Sequence, residues 1–282
     1  MVQIIADTLS SIPVSTAKDL GIPFLPQIVI FGNESYRDDS EMDSALFLKK
    51  LRSSSQLPKT AAPPPELYNP YYQKIKEEGN SAIVIAPSAS LSGTVRSAEV
   101  AALEFPGVDI RVLDTKTIAG GLGELVLIAN QYAKDGMDTD TIFTKVTNLA
   151  SRSRTYFLVD TLEYLYKGGR IGGAQALFGS ILQVKPILTL VNGRTEPAES
   201  QRTKKRALAR LIEIVMEDCP HSGDAHLCLS HEAADPADIA YLTDHFKSDL
   251  GFENIPIYGL PPAILTHAGP GAIAVSYIRD SK

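Results

Sequence analysis

The period of the apolar positions changes within one short stretch of the chain. Residues 82–86 form a continuous apolar run, which is typical of a strand buried on both faces. Beyond this run, apolar residues recur at steps of four and three, which is one face of a helix, at Leu91, Val95, Ala98, Ala102 and Phe105. The pattern therefore predicts a buried strand that passes through a turn into a helix.

Small and hydroxyl-bearing residues make up that turn: Pro87, Ser88, Ser90, Ser92, Gly93 and Thr94. A helix N-terminus leaves backbone N–H groups unpaired at the positive end of the helix dipole, and this favours an anion. The turn is therefore a candidate anion site. A simpler interpretation stays open, in which Ser88 or Ser90 only caps the helix.

Strands and helices alternate in the first half of the chain. Apolar runs at 2–6, 82–86 and 108–113 predict strands, and helical spacing predicts helices over 44–51, 66–77, 122–132 and 139–150. The run 22–31 is broken by Pro23 and Pro26, which favours an edge or irregular strand. The alternation predicts a three-layer α/β/α domain with a parallel sheet over residues 1–151.

Ligands of such sheets bind beyond the carboxyl ends of the strands. Asp7-Thr8, the turn 88–94 and Asp114-Thr115 all follow predicted strands. We therefore expect them at one edge of the sheet.

The second half has a different pattern, with hairpins and few crossover helices. It predicts strands at 155–159, 185–191, 227–229, 255–258, 263–265 and 272–277, and helices at 162–167, 177–182, 203–217 and 236–246. Asn192-Gly193 is the strongest hairpin signal of the chain. The pattern predicts a two-layer α+β domain with a mixed sheet over residues 152–282, and the boundary lies in the polar run near Ser151.

Composition narrows the classes of function. Of the 282 residues, 44% are hydrophobic and 21% charged, which suffices for a buried core. The net charge is −6 and there is no basic stripe, which argues against nucleic-acid binding. Cys219 and Cys228 have neither metal-type nor C-x-x-C spacing, which fits a reducing cytoplasm. We expect neither a signal peptide nor a membrane span.

Several catalytic and cofactor motifs are missing from the sequence. It has no dinucleotide-binding G-x-G-x-x-G after the first strand, no P-loop and no G-x-S-x-G elbow. His221, His226 and His231 are spaced at five, so in a strand they alternate between faces and make a poor metal site. We therefore expect no metal and no cofactor.

Three basic side chains are candidates for a functional site. His267 lies in a glycine-rich turn with Gly269 and Gly271, where the backbone can approach a ligand closely. Arg170 lies among the glycines of residues 168–173, expected to form a flexible hinge from which a guanidinium can grip an anion. Arg202 precedes a predicted helix, and it is either a further anion contact or a surface charge.

Together, four motifs resemble the DegV family of bacterial two-domain proteins. They are Ser88 with Leu91-Ser92-Gly93-Thr94 and Ser97-Ala98, then Thr161-Leu162-Glu163-Tyr164-Leu165 with residues 167–171, then Lys185-Pro186-Ile187-Leu188, and His267 with Gly269-Pro270-Gly271-Ala272. With Asp7 they span nearly the whole chain.

The resemblance implies a function in lipid metabolism. Members bind a long-chain fatty acid, and several present it to a fatty acid kinase that makes acyl-phosphate for phospholipid synthesis. It implies that Thr60 and Ser92 hold the carboxylate, in one site with Gly93, Thr94 and His267. It also implies that Arg170, Arg202 and His267 lie near the carboxylate and serve phosphoryl transfer in the partner complex. A transient membrane contact stays open.

The chain departs from the family pattern at several hydroxyl positions. Ala6-Asp7-Thr8 replaces the usual Thr-Asp-Ser, and Thr60-Ala61-Ala62-Pro63-Pro64 replaces Thr-Ser-Gln-Pro-Ser. Ala89 stands where a second serine is common. We therefore expect fewer donors around the lipid head than is usual.

A lipid tail would dominate the affinity. Hydroxyl donors such as Thr60 and Ser92 contribute roughly 1 kcal/mol each, whereas fourteen methylenes approach ~11 kcal/mol before ordering costs. The tail is expected in the second domain, against Leu177, Phe178, Ile181 and Leu182, although these residues could simply form its core. Two other functions stay open: an acyl hydrolase or transferase with Ser92 as nucleophile and His267 as base, and a regulatory module that binds no lipid.

Overall fold

The computed structural model describes residues 1–179, 184–223 and 225–279. The strands are β1 Val2–Asp7, β2 Phe24–Leu25, β3 Ile28–Phe31, β4 Glu34–Arg37, β5 Lys59–Ala61, β6 Ser81–Ala86, β7 Ile110–Asp114, β8 Ser153–Leu158, β9 Lys185–Val191, β10 Arg194–Gln201, β11 Ala225–His231, β12 Ile257–Gly259 and β13 Ile273–Arg279. The α-helices are α1 Val14–Asp19, α2 Ser44–Ser53, α3 Asn69–Glu77, α4 Thr94–Ala102, α5 Ala119–Lys134, α6 Thr139–Ser151, α7 Glu163–Lys167, α8 Lys204–Asp218, α9 Pro236–Leu250 and α10 Pro262–Ala268. Short 3₁₀ helices span Thr8–Ser10, Pro65–Leu67 and Gly172–Leu177.

The first sheet is parallel and has the order β2-β1-β6-β7. Side chains alternate across it: Ile4 and Ile83 pack on one face with α5 and α6, and Ile5 and Val84 pack on the other with α3 and α4. This is the predicted three-layer α/β/α arrangement.

A small antiparallel sheet, β4-β3-β5, lies beside the first sheet and was not predicted. β4 lies in the acid-rich stretch after β3, where polar residues outnumber apolar ones and give no strand signal. The sheet matters because it fixes Thr60, which pairs with Val29 of β3.

The second sheet is mixed, with the order β10-β9-β8-β13-β11-β12. Neighbouring strands are antiparallel except β11 and β12. Helices α8 and α9 pack on one face, and α5 and α10 lie on the side of the first sheet. The predicted hairpin turn between β9 and β10 is confirmed, because Asn192 and Gly193 both have positive φ, 50° and 79°.

Three predictions about the second half are corrected. Residues 263–265, predicted as a strand, lie in α10, whose first turn contains Pro262, a residue suited to a helix start. Residues 168–173 do not form an open hinge, because Gly172 packs directly on the Thr195 backbone of β10. The helix predicted over 177–182 is a 3₁₀ helix that ends at Leu177, and Ile181 and Leu182 lie outside the described residues.

Helix α5 joins the two sheets. The Gly120 N–H donates to Ser230 Oγ of β11 at 3.1 Å, and Gly121 lies against Ser276 of β13. A Cβ on Gly120 would lie 2.7 Å from Cys228 Sγ, so only glycine permits this approach. In the described part of the chain, no helix combines the length and apolarity required to cross a bilayer.

Candidate functional site

A narrow cavity lies between the second sheet and the helices on the side of the first sheet. Its atom-free space is about 880 Å³ with the mouth included, but the centre of a water molecule can reach only about 110 Å³ of it. Both halves of the chain contribute apolar walls: Leu9, Ala62, Leu91, Ile118, Ala119, Phe157, Leu165, Leu190, Leu260, Ala263, Ile264, Ala268, Ala272, Ile273 and Ala274. The polar lining residues are Gln27, Thr60, Ser92, Thr155, Arg170, Thr195 and His267.

Thr60 and His267 form one polar pair of the lining. Strand β5 carries Thr60, and the last turn of α10 carries His267, whose Nε2 lies 2.8 Å from Thr60 Oγ1. Burial, together with the Arg170 charge, lowers the pKa of His267 to about 4, so the ring is neutral near pH 7.

The partners of the imidazole indicate which nitrogen carries its proton. His267 Nδ1 is buried and has no hydrogen-bond partner among the described residues, and Gly168 packs against it so closely that a Cβ there would clash. An unpaired buried N–H costs more than an unpaired acceptor, so we assign the proton to Nε2. The ring then donates to Thr60 Oγ1, and the Thr60 hydroxyl keeps its own proton for a ligand.

The turn before α4 supplies Ser92. Ser92 Oγ lies 2.9 Å from Thr94 Oγ1, and the Thr94 N–H donates to it at 3.3 Å. A Cβ on Gly93 would lie 3.4 Å from Ala62 Cβ, so this turn touches the segment that carries Thr60. Thr60 and Ser92, far apart in sequence, thus line one cavity.

Behind Ser92 lies a buried polar network centred on Asp7, at the carboxyl end of β1. Asp7 Oδ2 accepts from Thr94 Oγ1 at 3.0 Å and from Gln27 Nε2 at 2.8 Å, and Asp7 Oδ1 accepts from the Leu9 N–H at 3.1 Å. Gln27 Nε2 also donates to Thr94 Oγ1 at 3.1 Å. Burial raises the pKa of Asp7 to about 7, although these hydrogen bonds oppose the rise.

Arg170 holds its guanidinium beside the cavity. Its Nε donates to the Leu91 carbonyl at 3.1 Å and its Nη1 to the Gly168 carbonyl at 2.8 Å. The charge therefore lies between the Ser92 turn and the His267 side of the site. The guanidinium can attract an anion while its hydrogen bonds to the two carbonyls fix its orientation.

Other residues predicted for the site lie outside the cavity lining. Thr94 is buried behind Ser92 and is 1% exposed. Arg202 lines a separate surface depression with Asp160 and Lys185. Leu177 and Phe178 line that same depression, and Phe178 stacks on Tyr166 at 4.0 Å between ring centroids. These two residues, expected to surround a tail in the second half, therefore do not line the cavity, whose apolar walls come from both halves of the chain.

Ser88 has a structural role that the sequence did not indicate. It neither caps α4 nor lines the cavity; its Oγ donates to the Gly193 carbonyl at 2.7 Å and accepts from the Ser90 N–H at 3.2 Å. The turn before α4 is thus tied to the β9–β10 hairpin. The simple capping interpretation fails, because the N-cap of α4 is Gly93 and has no side-chain cap.

Gln27 is a site residue that sequence reasoning missed. It lies between Pro26 and β3, is 2% exposed, and reaches both Asp7 and the cavity. An isolated glutamine between two apolar runs carries no motif, so nothing in the sequence marked it.

The geometry does not pair Ser92 with His267 as nucleophile and base. The hydrogen-bond partner of the ring is Thr60, and Ser92 Oγ bonds to Thr94 instead. In the part of the chain that the structure describes, no acid orients His267 Nδ1, and a pKa of about 4 makes the ring a weak base. Within residues 1–179, 184–223 and 225–279, no cluster of His, Cys, Asp and Glu could hold a metal ion.

Comparisons with known proteins identify the family of the chain. The family model described as "Uncharacterised protein, DegV family" matches residues 1–280. A DegV domain-containing protein from Streptomyces coelicolor is 37% identical over 277 residues, which cover 97% of each chain.

Solved structures share the fold over almost the whole chain. A DegV family protein from Thermus thermophilus, whose structure is described by its fatty acid binding, has a TM-score of 0.91 and 31% identity, covering 99% of both chains. DegV from Bacillus subtilis, described as a fatty acid binding protein, has a TM-score of 0.86 and 28% identity, again covering 99% of both chains. The chain therefore belongs to the DegV family.

Proposed function

We propose that this protein binds a long-chain fatty acid, with the carboxylate at Thr60, Ser92 and His267 and the tail among the apolar walls of the cavity. The observation that carries the proposal is one narrow, mostly apolar cavity into which hydroxyls and a guanidinium converge. Such a site matches a ligand with a small polar head and a thin apolar body. The two fatty acid-binding relatives with the same fold add support.

The proposal also divides the chain at residues 151 and 152. Residues 1–151 supply the carboxylate-binding loops through β5 and the turn before α4, and Gly93 and Thr94 shape that turn. Residues 152–282 form the α+β part, which contributes β8, β9, β13 and α10 to the tail-binding walls. The end of α6 at Ser151 and the start of β8 at Ser153 support this boundary.

A further part of the proposal is that the bound lipid is presented to a fatty acid kinase in the cytoplasm. Arg170 beside the cavity and the exposed Arg202 on a neighbouring depression would then contact the partner or the phosphoryl group. Transient contact with a membrane would let the lipid enter and leave. The cysteines Cys219 and Cys228, both free and buried, suit a reducing compartment.

Lipid extraction and mass spectrometry of protein purified from cells test the binding proposal. We expect a long-chain fatty acid at close to one equivalent. Thr60→Val, which removes the hydroxyl and keeps the shape, should reduce affinity about ten- to a hundredfold, because a hydrogen bond to a charge contributes about 1.5–3 kcal/mol. The absence of both co-purifying lipid and uptake of added fatty acid would contradict the proposal and favour a regulatory module that binds no lipid.

Acyl-phosphate formation with a fatty acid kinase tests the second part. Arg202→Ala should leave lipid binding unchanged, because Arg202 lies outside the cavity, and should lower acyl-phosphate formation about tenfold, as expected for loss of one charged contact. Lys247→Ala, on the exposed side of α9, is the control and should change neither. Unchanged acyl-phosphate formation in the Arg202 variant would remove that residue from the partner surface.

A further inference from the structure

The hydroxyl of Thr94 has one proton and three partners, and this fixes the direction of its hydrogen bonds. Gln27 Nε2 donates to it at 3.1 Å, it donates to Asp7 Oδ2 at 3.0 Å, and Ser92 Oγ lies 2.9 Å away. A hydroxyl can donate once and accept twice. While Asp7 is ionised, Thr94 must therefore accept from Ser92.

The consequence for Ser92 is that its only proton points away from the cavity. Ser92 Oγ accepts a hydrogen bond from the Thr94 N–H at 3.3 Å, and its own hydroxyl donates a hydrogen bond to Thr94 Oγ1. What remains towards the cavity is a lone pair, which repels a carboxylate. With Asp7 ionised, Ser92 cannot donate to the head of the proposed ligand.

Protonation of Asp7 reverses the direction of the hydrogen bonds that link Asp7, Thr94 and Ser92, and it breaks none of these contacts. A proton on Asp7 Oδ2 is donated to Thr94 Oγ1, Thr94 then donates to Ser92 Oγ, and the Ser92 proton turns into the cavity. Thr94 still accepts from Gln27, and Ser92 still accepts from the Thr94 N–H. The first arrangement satisfies every donor of this hydrogen-bond series, and the second does so when a ligand accepts from Ser92.

We propose that Asp7 is a positioning residue that takes up one proton from solvent when a carboxylate enters the cavity, so that Ser92 donates to the ligand. The inference rests on the proposed fatty-acid-binding function. One proton changes its covalent partner: it leaves an acid of the solvent buffer, which keeps the bonding electron pair, and binds Asp7 Oδ2. The ligand enters as an anion, and two hydroxyl protons rotate without leaving their oxygens. The coupled pair of ligand and Asp7 then carries a single negative charge instead of two.

The surroundings of Asp7 favour this uptake. Asp7 is 1% exposed, and its pKa is raised to about 7, first by burial and also by the charge of Asp38. Asp38 and Tyr68 are ionisable side chains that interact electrostatically with Asp7. Tyr68 stays neutral because burial raises its pKa. Burial also raises the pKa of Asp38 to about 7, and above that pH the Asp38 charge disfavours a second buried anion.

Calorimetry of laurate binding tests the inference, in two buffers of different ionisation enthalpy well above the pKa of Asp7. We expect the wild-type protein to take up close to one proton for each laurate bound. Its affinity should fall up to tenfold for each pH unit above about 7, because proton uptake and binding are linked. Carbon-13 NMR of carboxyl-labelled laurate should show the ligand ionised in the complex.

Three variants locate the proton. Asp7→Asn places an amide N–H where the protonated carboxyl would place its O–H, so it should bind laurate without proton uptake and with little dependence on pH. Thr94→Val removes the hydroxyl that links Asp7 to Ser92, so this variant should also lose the proton uptake. Asp38→Asn changes a second buried aspartate, which contacts Gln27 N and Thr8 instead of Thr94. This variant should keep the uptake but over a lower pH range, because the Asp38 charge that helps to raise the pKa of Asp7 is removed.

Each contrary outcome is distinct. Wild-type protein that binds laurate without proton uptake overturns the inference and leaves the proposed function intact. Proton uptake unchanged in Asp7→Asn, or a neutral laurate in the complex, also overturns the role of Asp7. Laurate that does not bind to the wild-type protein overturns the proposed function, and the inference with it.

Discussion

At the scale of single residues, Gly168 controls the position of His267. A Cβ at residue 168 would clash with His267 Nδ1 and lie 2.9 Å from the Tyr164 carbonyl, although its φ of −78° suits any residue. Gly168→Ala should therefore push the ring away from Thr60 and weaken fatty-acid binding about tenfold, the equivalent of one lost hydrogen bond to the site. Fluorescence displacement with a labelled fatty acid measures this.

Gly169 is the matched control for that variant. It is exposed, has nothing within 4 Å of a built Cβ, and has a φ of +71°. Gly169→Ala should cost about 1–2 kcal/mol of stability through left-handed backbone strain and leave binding unchanged. Binding lost equally in both variants would mean that the loop backbone, and not the imidazole contact, is responsible.

His267 also predicts a dependence of stability on pH. Its pKa is about 4 in the folded chain and 6.5 as the ordinary value, so the fold favours the neutral ring. The stability from this group is complete above pH 6.5 and is lost as the pH falls through 4, at about 1.4 kcal/mol per pKa unit. By about pH 5 the loss should reach ~2 kcal/mol.

Urea unfolding of wild type and His267→Gln at about pH 7 and about pH 5 isolates that contribution. The variant should lose less stability on acidification than the wild type does. Asp7 acts in the opposite sense, because its raised pKa makes stability fall as the pH rises, but it does so equally in both proteins. Equal acid sensitivity would show that the ring titrates normally.

At the scale of elements, the β9–β10 hairpin is fixed by its turn and by Ser88. Gly193 has a φ of +79°, and a Cβ there would clash with Ser88 Oγ. Gly193→Ala should cost about 1–2 kcal/mol for the backbone and about 1–3 kcal/mol more for the displaced Ser88 hydrogen bond.

The turn between β3 and β4 provides the comparison. Gly32 has a φ of +60° and open space around it, so Gly32→Ala should show the backbone cost alone. Chemical denaturation of both variants gives the difference. If the two costs are equal, the Ser88 contact does not contribute to the hairpin.

Elements with a local signal were predictable from the sequence. Asn192-Gly193 predicted its hairpin, and the change of period after Ala86 predicted β6 and α4, because backbone preference and apolar spacing are properties of adjacent residues. Residues 263–265 were mistaken for a strand, because three apolar residues have no measurable period. β4 was missed because its pairing partner, and not its own residues, makes it a strand.

The candidate site was predictable only in part for the same reason. Thr60, Ser92, Arg170 and His267 lie in recognisable motifs, and the structure brings them to one cavity. Other contacts of the site join residues that are distant in sequence. Gln27 and Asp7 are 20 positions apart, and His267 and Thr60 are 207 positions apart. No local pattern records such contacts, and Arg202, which the family resemblance placed near the carboxylate, lies elsewhere.

At the scale of the whole molecule, the cavity makes ligand binding a property of both halves. Ile118 and Ala119 at the start of α5 form walls on one side, and Phe157 and Ala274 of the second sheet form walls on the other. A ligand that fills this space binds only the folded chain. It should stabilise the protein by about 2.7 kcal/mol at a free concentration one hundred times Kd, in one cooperative transition.

Filling the cavity from within should abolish that stabilisation. Ala274 is 7% exposed and lies on β13 opposite Phe157, so Ala274→Leu places three more carbons where the tail would lie. We expect a ligand-free protein of equal or slightly higher Tm, because the added side chain fills space instead of displacing packed atoms, and no rise of Tm with added fatty acid. Ala240→Leu makes the same exchange on the exposed side of α9 and should keep the full ligand-induced rise. A full rise in Ala274→Leu would mean that the tail does not pass Ala274, and that the acyl chain follows a different wall of the cavity.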